Sequence, residues 1–180
     1  KVNLSYRDKS FEITSQIIKN PMNSVSNRDY KLYDEFMTNT EKVYNEMSTM
    51  TNDFYKIKNQ LNLLKTELIT AGKNKLAEDA QNLIFQIKKW DNIMVQRLSQ
   101  AYDDVENFEN GFTAHYLTLI NSVDSDLPVL NSGAKNKLNE LNIEWEIYKN
   151  QAINTIKPQI DQFNVDCAKN GIGPIFISSN

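Results

Sequence analysis

From Tyr30 to Thr70 the chain reads YKLYDEFMTNTEKVYNEMSTMTNDFYKIKNQLNLLKTELIT, with no glycine or proline in the run. Within it Tyr33, Phe36, Thr40, Val43, Met47, Met50, Phe54, Ile57, Leu61, Leu64 and Leu68 recur at alternating steps of three and four residues. Only Thr40 is neither apolar nor aromatic. Such steps keep side chains on one face of a 3.6-residue helix. At 1.5 Å per residue, forty-odd residues make a rod about 60 Å long. A seam this regular predicts left-handed, coiled-coil-like packing against a partner helix. Ser26 or Asn27 caps its start, with Asp29 at the positive end of the helix dipole. Gly72 stands just past its end, where a left-handed residue closes a helix.

A second helix begins near Asn74, and Leu76, Ala80, Leu83, Ile87, Trp90 and Met94 continue the spacing. The short connection makes the two helices antiparallel neighbours. Ala101, Val105, Phe108, Phe112, Tyr116 and Leu119 could carry the second helix through to Val123, but the Asp and Asn density and Gly111 favour a break at 103–111, then a shorter helix from about 111 to 123. Asn131 or Ser132 caps a last long helix with Leu138, Leu141, Trp145, Tyr148, Ala152 and Ile156 as its buried stripe. Pro158 should kink or end that helix. A final turn or two then carries Ile160, Phe163 and Cys167 and stops at Asn170-Gly171.

Upstream, Val2, Leu4 and Tyr6 alternate with polar residues. After the polar turn Arg7-Asp8-Lys9-Ser10, Phe11, Ile13 and Ile17 follow. Period two with branched and aromatic residues predicts two short strands round a turn. The tail around Ile175 is apolar and β-branched, and the ends of an even-helix bundle lie close together. The tail is therefore expected to add a strand beside the hairpin. The fold class expected is mainly α: an antiparallel long-helix bundle of three to four helices with a small β appendage from the two termini. Residues 1–20 form the hairpin, or the remnant of a preceding β-sandwich; residues 21–180 form the bundle.

Composition narrows the function classes. The 180 residues carry a net charge of −3, with no basic block, which argues against nucleic acid. No run approaches the ~20 apolar residues of a membrane span. The opening Lys1-Val2-Asn3-Leu4 has no charged n-region and no apolar h-region, so no signal peptide is visible, and the chain reads like a piece of something longer. One Cys and one His offer neither a disulfide framework nor a zinc site of the usual kind. No cofactor, metal or catalytic residue is nominated. The acidic cluster Asp103, Asp104, Glu106 and Glu109 lacks the spacing of an EF-hand loop and reads as a solvated helix boundary. His115 reads as an interfacial or surface histidine, because no second His exists to serve a triad. Cys167, among apolar neighbours, reads as a buried, inert thiol. Tyr44 and Tyr55 lie off the seam and mark a second packed face.

Several stretches resemble the C-terminal helical region of bacterial sortilin-like proteins, large secreted β-propellers with Asp-box repeats that are often labelled glycosyl hydrolases. Phe11-Glu12-Ile13-Thr14 looks like the last strand of the β-sandwich preceding those helices. Asn20-Pro21-Met22 sits where the family often has Asp-Pro-Arg. Lys56-Ile57-Lys58-Asn59-Gln60-Leu61 resembles part of its first long helix. Asp104-Val105-Glu106-Asn107-Phe108-Glu109-Asn110 looks like its Asp-x-x-Asn-Phe-Pro loop, with Glu109 in place of the proline. Gln159-Ile160-Asp161-Gln162-Phe163-Asn164 looks like its closing segment. The resemblance implies a secreted, periplasmic or cell-surface setting and a neighbouring propeller or β-sandwich domain as partner. It marks Asp104, Asn107, Phe108, Asn110, Phe163 and Asn164 as candidate interaction or loop residues, and it carries over no catalytic residue.

The expected function is a non-catalytic helical accessory or interaction domain that packs a helix face against a neighbouring domain, a partner protein or a second copy. One alternative is part of a secreted hydrolase with its site in the acidic loop near Asp103–Glu109. The other is a self-assembling or membrane-active helical protein.

Overall fold

The computed structural model describes residues 1–16, 18, 20–22, 24–99, 107–124 and 127–176. Strands β1 (Val2–Tyr6) and β2 (Lys9–Ile13) form an antiparallel hairpin. Its two-residue turn holds Arg7 at a φ of 54°. Among the described residues the helices are α1 (Asn27–Thr70), α2 (Asn74–Met94), α3 (Phe112–Val123), α4 (Ser132–Gln151) and α5 (Lys157–Lys169), with a π-helical turn, Ala152–Ile156, joining the last two.

Local chemistry explains the boundaries. The Ser26 hydroxyl accepts from the Asp29 N–H at 3.1 Å and donates to the Asp29 carboxylate at 2.6 Å, closing the start of α1. At its end Gly72, with φ +71°, donates to Ile69, and the Lys73 N–H donates to Leu68 at 2.9 Å. That is the paired closure a left-handed glycine permits. Gly171 repeats it after α5: its N–H donates to Ala168 at 3.0 Å, and the Ile172 N–H donates to Cys167 at 3.0 Å. Asn131 caps α4 by accepting from the Ala134 N–H at 2.7 Å.

The helices assemble as three rods, not four. The first is α1. The second is α2 followed by α3, because α3 resumes where α2 stops: Gly111 lies against the backbone of Met94 and Val95, and the Thr113 hydroxyl donates to the Met94 carbonyl at 2.9 Å. The third is α4, the π-turn and α5 as one helical path. Cross-rod bonds fix the directions. Lys65 reaches Gln81 at 2.9 Å and Tyr33 reaches Asp124 at 3.4 Å, so the second rod runs back along the first. Trp90 donates to the Tyr148 carbonyl at 2.9 Å and Tyr116 to Asn142 at 2.8 Å, so the third runs back along the second.

The seam of α1 is spent inside this bundle. Phe36, Thr40, Met47, Phe54, Ile57, Leu61 and Leu68 are buried, and Tyr33, Val43, Met50 and Leu64 pack on the same core. Thr40 is tolerated there because its hydroxyl donates to the Phe36 carbonyl one turn back at 2.7 Å. The α2 stripe is wider than expected, adding Ala77, Ile84 and Asp91.

Two expectations need correcting. Among the described residues the sheet has two strands, both from the N-terminus, and the tail as far as Phe176 pairs with neither. Three rods put the start of α1 and the end of α5 at opposite ends of the bundle, so the termini do not meet as an even helix count would require. The tail packs on the helices instead. The Asn164 amide donates to the Ile175 carbonyl at 3.0 Å and accepts from its N–H at 2.9 Å. Gln60 treats Phe176 the same way, at 2.7 and 3.2 Å. Second, Pro158 does not end the helix. A proline ring meets the carbonyl four residues back, and the wider π-turn just before it makes the room.

Candidate functional site

The sequence-nominated residues fall in two separate places. Asp103, Asp104 and Glu106 lie outside the described residues. Of their loop, Asn107, Glu109 and Asn110 are exposed and Phe108 is half-buried. On either side of this stretch, Met94 and Gly111 lie against each other. Phe163 and Asn164 belong to α5, beside Leu83 of α2, about 16 Å along the helix axis from Met94. Phe163 is core. It floors a shallow groove of about 260 Å³ rimmed by Asp79, Asn82, Gln159, Gln162 and Asp166. Asn164 is the clamp on the tail.

His115 is exposed on α3 with its ring 6.2 Å from that of Phe112. Cys167 is fully buried, and burial pushes its thiol up from its ordinary value, which keeps it protonated and unreactive. Among the described residues no group of three or more His, Cys, Asp or Glu is placed to hold a metal ion. No helix among the described residues is long and apolar enough to cross a membrane.

Sequence reasoning missed one buried ion pair. Asp91, with 2% of its side chain exposed, accepts from Arg97 Nε at 2.7 Å and from Nη2 at 2.8 Å. The guanidinium lies 4.7 Å from the centre of the Tyr55 ring. This fork raises the Arg97 pKa and ties the first residues after α2 to the bundle. The signal was present: Ala80, Ile84, Ile87, Asp91 and Met94 hold steps of four and three, so a carboxylate occupies a core register. Tyr55 is thus half of a cation–π contact at the surface; Tyr44 does pack on the core.

A second groove, of about 310 Å³, lies between α1 and the π-turn, over Met50, Phe54, Ala152 and Ile153, with Asp53 and Lys157 at its rim. An uncovered apolar surface lies elsewhere. On the hairpin, cross-strand partners Val2 and Ile13, Leu4 and Phe11, and Tyr6 and Lys9 share one face. Its five apolar side chains are 55–69% exposed. The other face carries Asn3, Ser5, Ser10 and Glu12.

Comparison of the chain with protein-family models, curated proteins and solved structures gives no match. The sortilin-like setting therefore rests on the quoted motifs alone.

Proposed function

We propose that this chain is a non-catalytic helical interaction module: a three-rod bundle that carries an amphipathic β-hairpin and works by burying the hairpin's apolar face against another protein surface. One observation carries the reading. All ten strand residues are exposed, although one face of the hairpin is wholly apolar but for Lys9. Contiguous exposed apolar patches of this size mark interaction sites.

The docking element differs from the one expected at the outset. The Met, Tyr and Phe side chains of the helical seams, such as Met47, Met94, Tyr116 and Phe54, are core residues of this chain. They are not available to a partner. A role within a larger secreted β-rich protein fits the hairpin, since a β-domain is its natural neighbour.

The test is a photo-reactive phenylalanine analogue at Phe11, in the protein made in its own host, with a second probe at Asn3 on the polar face. The expected result is one discrete cross-link from position 11, to a second copy, another domain or a partner identified by mass spectrometry, and none from position 3. Equal diffuse labelling from both positions overturns the reading.

A further inference from the structure

A two-stranded hairpin alone is marginal in water, so this one calls for a cover over its apolar face. The bundle does not supply it. We infer that the cover is the same face of a second copy of this chain, the two hairpins packing as a two-fold pair. This inference rests on the interaction-module reading and names its partner.

Area supports it. Five side chains more than half exposed leave on the order of 500 Å² of apolar surface open. Two such faces together bury roughly 1,000 Å², the lower limit for a biological interface and the size of a weak, transient one.

Shape supports it as well. Along the hairpin the rows are Val2 with Ile13 at the open end, Leu4 with Phe11 in the middle, and Tyr6 with Lys9 at the turn. A two-fold axis through the middle row brings Leu4 and Phe11 onto their own copies. It lays the Tyr6 ring over Val2 of the other hairpin and the Lys9 stem over its Ile13, with the ammonium reaching the rim. Large against small across facing layers is how two sheets interdigitate at about 10 Å.

The polar face needs no partner, because Lys1 pairs with Glu12 at 2.8 Å and Ser5 with Ser10 at 3.2 Å. A lipid surface fits less well. Both strands have open edges, whose unpaired N–H and C=O groups are costly in hydrocarbon. Asp8 and Glu12 also dilute the charge of Lys1, Arg7 and Lys9.

Light scattering of the full chain from ~1 to ~500 µM decides the matter, a range wide enough to catch a weak, transient pair. The apparent mass should double across that range. Leu4→Asp and Phe11→Asp should each hold it at the monomer value with helical circular dichroism unchanged, while Asn3→Asp should still dimerise. A wild-type chain that stays monomeric overturns the inference, and the Phe11 cross-link then shows separately whether a foreign partner keeps the module reading. A dimer that survives both variants also overturns it, because association then lies elsewhere on the bundle. A monomer that sediments with phosphatidylcholine–phosphatidylserine vesicles, and loses this on Phe11→Asp, assigns the face to membrane instead.

Discussion

Gly111 has an ordinary φ of −71°, so the position requires space and not an unusual backbone. A Cβ there would stand 2.6 Å from the Met94 carbonyl oxygen and 2.7 Å from the Val95 Cα. Both are backbone atoms held by α2, so neither yields cheaply. Gly111→Ala should therefore destabilise the fold by about 2–3 kcal/mol, read from the urea midpoint, with the loss in the joint between α2 and α3. A midpoint within error of wild type would mean that the joint is loose. Tyr116 gives a pH dependence. It is fully buried, and that burial, reinforced by Glu146 and Glu144, pushes its hydroxyl well above the ordinary value. The folded state then holds a proton that the unfolded chain releases from about pH 10, so stability falls as pH rises past that point. Tyr148, whose hydroxyl donates to Glu144, adds in the same direction. Tyr116→Phe should flatten the alkaline limb of stability against pH. It should also cost about 1 kcal/mol at neutral pH, because the bond to Asn142 is lost.

At the scale of elements, helix boundaries were legible because they are local: a capping Ser26 or Asn131, and a glycine free to turn left at 72 and 171. The π-turn was legible too, though only in the arithmetic. The core-facing positions Leu141, Trp145, Tyr148, Ala152, Ile156, Ile160, Phe163 and Cys167 step by four, three, four, four, four, three and four. Three consecutive fours swing a regular stripe about 120° round the helix. A turn holding one extra residue brings it back into line, and the π-turn falls within that stretch. Removing the exposed Asn154 restores the alternation but also takes away the turn that clears the Pro158 ring, so in a Pro158→Ala background that deletion should leave the bundle folded with a melting temperature within a few degrees of that background. Deleting the exposed Asn82 from the regular α2 puts half of its stripe out of phase and should abolish cooperative melting. If the Asn154 deletion unfolds the protein as readily, the π-turn is needed for more than phase. The clamps of Asn164 and Gln60 on the tail were not legible, because they join residues 11 and 116 positions apart by side-chain geometry alone.

For the whole molecule the sequence shows four helical patterns, yet their number says nothing about how many lie end to end. The contact of Gly111 with Met94 turns four helices into three rods and moves the end of α5 to the far end of the bundle from the start of α1. The hydrophobic spacing cannot report that contact, since it depends on an absent Cβ. The candidate site was the least legible part, because an exposed apolar hairpin face has the same alternation as a buried one. The three-rod plan also has a consequence for cooperativity. The first and third rods run the length of the bundle, while the second is broken between α2 and α3. Each half therefore shares two continuous helices with the other and should not melt alone. Trp90 in α2 and Trp145 in α4 are both buried and can report separately in single-tryptophan versions. Their fluorescence should change at the same temperature. Leu61, fully buried in α1, packs in the core shared with α2 and α5. Leu61→Asp places an unpaired charge there and should cost more than about 4 kcal/mol. Because α1 is continuous, the Trp145 signal should fall together with that of Trp90, although no α4 contact is touched. A variant in which Trp145 keeps its native emission while Trp90 loses it would show that the break in the second rod divides the bundle into two folding units.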